Sequence, residues 1–452
     1  MSKRSAGTQY KVRSAAVMLA VIACVLYPHT VFASDSPDYG SREEVIAQCL
    51  QVQRHFLAKY THDAGPLVIK PVAVPYGDDL KGNNSHFGWP VATKAGDALI
   101  VVFLRQPQHA PRWGIQKQKD EYLSKAMMTR SVDGGQTWSK PVDMREFIKT
   151  PTEGCRLGFG SGMVTRSNGE VVLVSPYGVF TSNDQGATWQ HIPGAYGQDD
   201  LPGPVANNGP KLIEHPEYGL VSFGHGKAEE LLVRYSKDGG HNWDQITYKL
   251  PEQWAQPIEP TVILHNGAMI MVARCHGEAS FEPERKTWRY MQAYSADGWL
   301  PLVPALTTMR VTDIRDEVNV SGYGAFSQDT VALDFNPVTK RFEAVCTNRN
   351  GGGQGREQQR MRMTLNLWSI DPDDFAAGTG EWRFEGTLLT RGGTMMTGAD
   401  GMHPGGAVID EAAGVQHLFV YLGSHLGPAS IFRITRTLDT PKLVEWLKQY
   451  PE

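Results

Sequence analysis

The stretch Ser131-Val-Asp133-Gly-Gly135-Gln-Thr137-Trp138 decides the fold, because the chain repeats it at regular intervals. The same order of Ser, Asp, Gly, Thr or Asn, and Trp returns in full at residues 182–189 and 236–243, and in shortened form at 295–299. Successive copies start about 50 to 60 residues apart, which is the span of one four-stranded propeller blade. Three complete copies at this spacing predict a β-propeller.

Each copy, which we call an Asp box, has the residues of a tight turn. The aspartate can accept hydrogen bonds from the backbone N–H groups that follow it, and a glycine can adopt a positive φ. The tryptophan can pack between neighbouring sheets. We expect each Asp box to join the third and fourth strands of its blade. Such turns indicate a fold and not a reaction, since many propellers only bind.

Pairs of short apolar runs predict the inner strands of the blades. The pairs are 89–92 with 99–104, 163–165 with 171–174, 211–213 with 220–223, 261–264 with 269–273, 330–335 with 342–346, and 407–409 with 418–421. This pattern predicts an all-β fold, a six- or seven-bladed β-propeller over residues 66–440. Residues 441–452 are predicted to form a C-terminal helix or tail.

The N-terminus has the features of a targeting segment. Basic residues precede an apolar run over residues 15–27, which is too short to span a bilayer comfortably, and a small-residue cleavage site ends at Ala33. Residues 1–33 are therefore predicted to be a signal peptide of a secreted or periplasmic protein. A lipobox-like sequence ending at Cys24 leaves lipid anchoring open. Residues 34–65 are predicted to form a docking helix, with a capping box between Ser41 and Glu44.

The composition excludes several classes of protein. With 41% hydrophobic and 20% charged residues, the 452-residue chain can bury a core and is not disordered. A net charge of −4 argues against nucleic acid as a partner, and no later segment has the length and apolarity of a membrane span. We expect a monomer. Four cysteines follow the signal segment, and their pairing stays open.

Polar residues follow the predicted second strand of five blades, where turn residues alone would suffice. They are Arg105 and His109, Tyr177, His225, Arg274 and His276, and His425. His86 and His403 stand at the starts of innermost strands. Because loops at one end of a propeller line its central funnel, these side chains are candidates for a shared site. Arginine can pair with a carboxylate, and His and Tyr can transfer protons near neutral pH.

From about residue 84 onward the chain resembles the sialidase-type propellers. The resemblance rests on the Asp boxes, on Glu259-Pro260-Thr261-Val262 followed by the strand that ends in Arg274, and on Arg360-Met-Arg362. It implies that Arg274, together with Arg360 or Arg362, holds a substrate carboxylate. It also implies that Glu259 orients a catalytic side chain.

Two departures set the chain apart from the sialidases. First, Gly88-Trp89-Pro90 stands where that family has Arg-Ile-Pro, so one arginine of a three-arginine carboxylate clamp is missing. Second, His109 stands in the stretch where the family has an acid/base aspartate. The pattern H-x-G-W-P from His86 and R-x-P-x-H from Arg105 is more similar to propeller lyases that act on ulvan, a sulfated algal polymer containing uronate. That resemblance implies β-elimination.

The sequence thus predicts an exported polysaccharide lyase that acts on an anionic, uronate-containing polymer. His109 and Tyr177 are the expected acid/base pair, with His86 close by, and Arg105 and Arg274 are expected to neutralise the uronate. The remaining candidate substrate-binding residues are His225, His276, Glu259, Arg362 and His403. Propellers of the resembled family can hold metal ions, but no ligand cluster here identifies one. A sialidase-type exo-glycoside hydrolase and a non-catalytic propeller that binds glycan or protein stay open as alternatives.

Overall fold

The structure is a computed structural model that describes most of the chain beyond residue 64. The described residues are 41, 43–44, 65–79, 85–106, 125–148, 162–175, 178–192, 211–225, 230–249, 257–275, 281–282, 287–288, 290–296, 307–309, 327–349, 362–380, 382–392, 400–401, 404, 406–423 and 428–449. For some of these, mainly at strand ends, only the backbone is described. Strands predominate, which confirms the β-rich fold class.

In the described residues the strands form one nine-stranded sheet, four four-stranded sheets and a two-stranded hairpin. The nine-stranded sheet divides at a single parallel pair into two antiparallel groups, which we number as sheets 1 and 6, and the four-stranded sheets are numbered 2 to 5. The first strand of the described residues is β1 (Leu67–Ala73). Sheet 1 contains β2 (His86–Ala95), β3 (Ala98–Gln106), β4 (Lys125–Ser131) and β5 (Val142–Asp143). Sheet 2 contains β6 (Gly162–Thr165), β7 (Val171–Ser175), β8 (Gly178–Ser182) and β9 (Gln190–Ile192). Sheet 3 contains β10 (Ile213–His215), β11 (Gly219–His225), β12 (Glu230–Ser236) and β13 (Asp244–Lys249).

The second half of the chain repeats this pattern. Sheet 4 contains β14 (Pro257–His265), β15 (Ala268–Cys275), β18 (Tyr290–Ser295) and β19 (Thr307–Met309). Between β15 and β18 the chain forms a separate hairpin of β16 (Phe281–Glu282) and β17 (Thr287–Trp288). Sheet 5 contains β20 (Ser327–Asn336), β21 (Arg341–Arg349), β22 (Arg362–Ile370) and β23 (Arg383–Gly392), with helix α1 (Pro372–Ala377) after β22. Sheet 6 contains β25 (Gly406–Asp410), β26 (Val415–Gly423) and β27 (Ala429–Thr437), and β24 (Asp400–Gly401) also pairs with β26. Helix α2 (Thr440–Leu447) follows.

The fourth strand of sheet 6 comes from the other end of the chain. β1 pairs antiparallel with β27, so the first and last described strands lie in one sheet. A single parallel pair between His86 and Ala429 also joins sheet 6 to sheet 1. The N-terminal and C-terminal parts of the fold therefore hold each other in place.

Apolar layers lie between consecutive sheets. Sheets 1 and 2 share a cluster that includes Ile100 and Phe180, and sheets 6 and 1 share one that includes Phe103 and Phe419. Four more clusters fill the spaces from sheet 2 to sheet 6. The first strands β2, β6, β10, β14, β20 and β25 contact one another in that order, and β25 contacts β2. Four-stranded antiparallel sheets that pack face to face in this way are typical of propeller-type folds.

The Asp boxes lie between the third and fourth strands of sheets 1 to 3, as predicted. In the second box the Ser182 hydroxyl donates to Asp184 Oδ1 (2.8 Å) and accepts a bond from the Gly186 N–H (2.8 Å). The Thr188 N–H and hydroxyl donate to the two oxygens of Asp184, at 2.9 and 2.6 Å. The boxes that start at Ser131 and Ser236 repeat these bonds. The predicted turn chemistry is confirmed.

The glycine four residues after the serine of each complete box lies against the preceding sheet. A Cβ atom on Gly186, whose φ is +79°, would lie 2.6 Å from Ile100 Cδ1, and one on Gly240 would lie 2.9 Å from Val179 Cγ1. In the first box, Arg433 of sheet 6 lies against Gly135 and donates a hydrogen bond to the preceding carbonyl. Positive φ and lack of space both require glycine here.

A buried ion pair fastens sheet 5 to sheet 6. Arg436 Nη2 lies 2.5 Å from Glu343 Oε2, and the two side chains are 0% and 1% exposed. Arg436 also donates to Gln416 (2.7 Å), and the Thr440 hydroxyl at the start of α2 donates to Glu343 (2.7 Å). Because a buried charge is stable only with partners, this network fixes α2 against both sheets.

A second polar contact joins inner strands that are not neighbours. Lys211, just before β10 of sheet 3, pairs with Asp334 on β20 of sheet 5 and donates to the Leu333 carbonyl (2.6 Å). Asp334 also accepts a bond from Gln416 (2.7 Å) of sheet 6. The contact skips sheet 4, so Lys211 links sheets 3 and 5, which are not consecutive.

The N-terminal predictions are tested only in part. Glu44 Oε2 accepts a bond from the Ser41 N–H (2.5 Å) and the Ser41 hydroxyl accepts one from the Glu44 N–H (3.3 Å), so the predicted capping box is confirmed. The predicted signal segment 1–33, including Cys24, lies outside the described residues. Within the described residues, no helix has the length and apolarity needed to cross a membrane.

The Asp box should make stability depend on pH in the acid range. Burial opposes ionisation of Asp184, but the hydrogen bonds from Thr188 and Ser182 outweigh it and lower its pKa from 3.8 to about 2. The stabilisation is therefore complete above about pH 4 and is lost as the pH falls towards 2. We expect Asp184→Asn to lower the free energy of unfolding by about 1–2 kcal/mol at pH 7, and the deficit to vanish near pH 2.

Urea unfolding of both proteins between pH 2 and 7 measures this difference. Asp97→Asn, in an exposed turn outside the boxes, is the matched control and should cost little at any pH. A deficit for Asp184→Asn that does not change with pH would contradict the explanation.

The buried pair should contribute far more than an exposed one. Glu343→Gln leaves the Arg436 charge buried without its carboxylate, and we expect a loss of about 3–5 kcal/mol in the free energy of unfolding. Glu445→Gln is the control, because the Glu445–Lys448 pair is largely exposed and should contribute about 1 kcal/mol or less. Chemical denaturation compares the two variants, and similar losses would overturn this account.

Candidate functional site

The second strands of the sheets finish at one common end of the fold. Equivalent positions of neighbouring first strands meet: Thr261 in β14 donates to the Val331 carbonyl in β20 (2.5 Å), and Met163 in β6 forms a parallel bridge with Lys211. The first strands therefore run in the same direction, and every antiparallel second strand ends beside the start of its first strand. We call this the strand-end face. Residues that end second strands here are Arg105 or Gln106, Ser175, His225, Arg274 or Cys275, Arg349, and Gly423.

The strand-end face contains an arginine that the sequence analysis missed. β21 continues three residues beyond the predicted run and ends at Arg349, which pairs with Ser327 and Met363 of the neighbouring strands. Counted from the bulges, Arg349 occupies the place in sheet 5 that Arg105 occupies in sheet 1 and Cys275 in sheet 4, and Arg274 stands one residue earlier in its strand. The signal was present, since Asn348 and Arg349 follow the apolar run after a single threonine. It was passed over because the predicted strand stopped at its last apolar residue.

Three first strands carry a β-bulge at the same position. In each, two residues stand opposite one residue of the second strand. The bulged pairs are Trp89-Pro90 in β2, Glu259-Pro260 in β14 and Asp329-Thr330 in β20. Bulges next to sites re-aim side chains out of the regular alternation. Proline is tolerated here because a first strand is an edge of its own sheet.

Two of the bulged residues have a strained backbone. Trp89 has φ +49° and Glu259 has φ +53°, in a region that residues other than glycine rarely occupy. Such a conformation costs about 1–3 kcal/mol and persists only where the surroundings impose it. Strain of this kind clusters at binding and catalytic sites, so these two positions are the strongest structural markers on the strand-end face.

An aromatic cluster supports Trp89. Its ring centroid lies 5.3 Å from that of Tyr421 and 5.7 Å from that of His86, and the latter two lie 5.5 Å apart. His86 and Tyr421 are completely buried, whereas Trp89 is partly exposed. His86 therefore has no surface for a ligand in this arrangement, although the sequence analysis placed it among the catalytic residues.

The missing arginine at position 88 has a steric explanation. A Cβ atom on Gly88 would lie 3.1 Å from His86 Cε1, 3.3 Å from His86 Nδ1 and 3.8 Å from Tyr421 Cγ. The two distances to the His86 ring are tighter than ordinary van der Waals contact, so a side chain at position 88 would require that ring to shift by a few tenths of an ångström. The packing of His86 therefore favours glycine at position 88.

Arg105 already has a carboxylate partner. Its Nη1 atom lies 3.1 Å from Asp79 Oδ1, and both side chains are largely buried. Asp79 also accepts a bond from the Tyr76 N–H (3.1 Å), which fixes the short 3₁₀ turn before β2. A substrate carboxylate would have to compete with Asp79 for Arg105.

The other predicted site residues are described in part or not at all. His225, Arg274 and Arg362 lie at strand ends on the strand-end face, as far as the backbone shows. Glu259 is partly buried in its bulge. The predicted acid/base pair His109 and Tyr177, together with His276, His403, His425 and Arg360, lies outside the described residues. Among the residues that are described, no three His, Cys, Asp or Glu side chains gather as metal ligands.

Comparisons with known proteins add little about the reaction. No protein-family model matches the chain, and no curated protein is similar to it in sequence. Similar solved structures include a protein of unknown function from Dyadobacter fermentans (16% identity, TM-score 0.46, 82% of this chain and 99% of that one). Others are the NanB sialidase from Streptococcus pneumoniae (10%, 0.49, 82% and 71%) and the endosialidase of phage phi92 (10%, 0.47, 82% and 69%).

The steric conflict at position 88 can be measured directly. Gly88→Arg should lower the free energy of unfolding by about 1–3 kcal/mol, because its side chain must displace the His86 ring from a packed layer. In a His86→Ala background the same substitution should cost much less, since the obstructing ring is gone. A double-mutant cycle from thermal or urea unfolding gives the coupling. Equal costs in both backgrounds would show that His86 is not the obstacle.

Proposed function

We propose that the protein is an exported polysaccharide lyase that cleaves a uronate-containing polymer of the ulvan type by β-elimination. The observation that carries this proposal is that Gly88, with the His86 ring packed against it, stands where a sialidase-type clamp has an arginine. A sialidase-type site needs that arginine to complete its carboxylate clamp, according to the resemblance, whereas a lyase does not.

The proposal includes a closed ring of six blades. It is supported by the six apolar layers, one of which joins sheet 6 to sheet 1, and by the β1–β27 pairing that completes sheet 6. In such a ring the strand-end face surrounds one mouth of the axis, where propellers bind their ligands. Strand ends from several blades can then contact one polymer.

The proposed reaction uses general acid/base chemistry and charge neutralisation. A cation beside the uronate carboxylate stabilises the charge that develops when a base removes the C5 proton. The C4–O bond then breaks, its electron pair leaves with the glycosidic oxygen, and an acid protonates that oxygen. No water is consumed, and the new sugar end carries a C4–C5 double bond. His109 and Tyr177 are proposed as the base and acid.

The structure changes the roles proposed for two residues. Because Arg105 pairs with Asp79, neutralisation of the uronate is assigned first to Arg274, with Arg349 and Arg362 as neighbours at strand ends of sheet 5. Because His86 is completely buried, it is proposed to position Trp89 rather than to touch substrate.

The reaction can be tested on ulvan and on other uronate polymers. The mature protein should produce a rise in absorbance near the ultraviolet edge from the unsaturated uronate, and mass spectra should show products lighter by one water than hydrolysis products. His109→Ala and Tyr177→Phe should each lower the rate at least about 100-fold, since positioned acids and bases contribute that much.

Glu445→Gln serves as the matched control, because Glu445 lies in helix α2 after the last strand. This variant should leave the rate unchanged. If no uronate polymer yields an unsaturated product, the lyase proposal fails. If the two variants cleave at the rate of the unaltered protein, the proposed acid/base pair is wrong although the lyase reaction stands.

A sialidase-type exo-glycoside hydrolase is the second candidate. The observation that favours it is Glu259, which the resemblance assigns to orienting a catalytic side chain and which lies in a strained bulge. This candidate predicts release of a reducing sugar acid without a new double bond. A glycan-binding propeller without catalysis would show binding but neither product.

A further inference from the structure

We propose that Trp89 is a stacking platform for one sugar ring of the bound polymer, an inference that takes the kind of polymer from the proposed function. The platform lies at the junction of sheets 1 and 6, where the first strand of one sheet begins and the second strand of the other ends. It adds an apolar contact to a site whose other candidate groups are charged or polar.

The indole of Trp89 is held rigidly and is still accessible. The buried rings of His86 and Tyr421 lie 5.7 and 5.3 Å from it, at tilted angles of 38° and 36°. These rings support the indole and restrict its rotation, so little conformational entropy is lost when a ligand binds. Trp89 is partly exposed, and the proposal assigns this exposed surface to contact with a sugar ring.

The backbone of Trp89 argues against a role in core packing alone. Trp368 and Trp382, which do fill the core, are 0% and 1% exposed. Trp89 instead stands in a 2:1 bulge with φ +49°, immediately before Pro90. A strained bulge is an inefficient way to bury a tryptophan, whereas it is an effective way to turn one out of a strand towards a ligand.

The chemistry of the platform fits a pyranose ring. One face of many pyranoses is lined by C–H groups, which pack against the electron-rich face of an indole, while their hydroxyl and carboxylate groups stay at the edge. Because position 88 is a glycine, β2 offers no cationic side chain next to Trp89. We therefore place the carboxylate towards sheets 4 and 5, where Arg274 and Arg349 lie at the ends of their strands.

Binding measurements on three variants test the platform. Trp89→Ala should raise the dissociation constant for uronate oligosaccharides about tenfold, and Trp89→Phe about two- to threefold, because a smaller ring still stacks. Trp138→Phe, on an Asp box away from the strand-end face, is the matched tryptophan control and should not change it. The KM of Trp89→Ala should rise more than its kcat falls. Sugar binding should shift the tryptophan fluorescence of Trp138→Phe but shift that of Trp89→Phe much less.

The outcomes separate this inference from the proposed function. If Trp89→Ala and Trp89→Phe bind like the unaltered protein, the platform is wrong, whatever the reaction. If the protein produces no unsaturated uronate but binds a neutral polysaccharide such as a β-glucan in a Trp89-dependent manner, the lyase proposal fails and the platform stands. If the protein binds no glycan of either kind, both fail. Should Trp89→Ala not fold, as unfolding curves would show, the comparison of Trp89→Phe with Trp138→Phe decides.

Discussion

The close approach of each Asp-box glycine to the preceding sheet is the constraint on which the packing of the blades depends. The box is a turn whose shape is imposed by one carboxylate, which accepts bonds from both the N–H and the hydroxyl of the residue four positions later, as between Asp184 and Thr188. The turn brings Gly186 so near to Ile100 that no Cβ would fit. Adjacent sheets are therefore held at one spacing by hydrogen bonds within a turn as well as by apolar contact between faces. A sandwich held by side-chain packing alone would tolerate larger changes of spacing.

The spacing between adjacent sheets determines which side chains are buried and which are exposed at the strand-end face. Sheets 6 and 1 approach each other closely, since Gly406 of sheet 6 lies against the backbone of Ala92 of sheet 1. His86 is buried at that junction, and the bulge that follows it turns Trp89 outwards. The strain of the bulge is sustained because the junction is fixed on both sides, by the β1–β27 pairing and by the apolar layer between the two sheets.

The sequence predicts the repeating architecture well and the details of the site poorly, for physical reasons. Asp boxes and paired apolar runs are local signals, so the strands, their order and the turn chemistry follow from them. The ion pair of Arg105 with Asp79 and the packing of His86 on Gly88 join residues through the three-dimensional fold, and no local pattern indicates them. Two of the three bulges do have a signal in the sequence. Pro90 and Pro260 stand inside apolar runs, where a regular paired strand would not accept proline.

The same geometry bears on how a strand start can exchange a charge contact for an aromatic one. At the start of β2 the ring of His86 packs where a side chain at position 88 would begin, and the aromatic Trp89 follows directly. The strand start thus offers a stacking contact in place of a charge contact. The substrate carboxylate must then be bound by other sheets, and arginines that end or begin strands in sheets 4 and 5 are available at the same face. The loss of one arginine in sheet 1 is therefore compatible with an anionic substrate, provided that the sugar turns its carboxylate away from sheet 1.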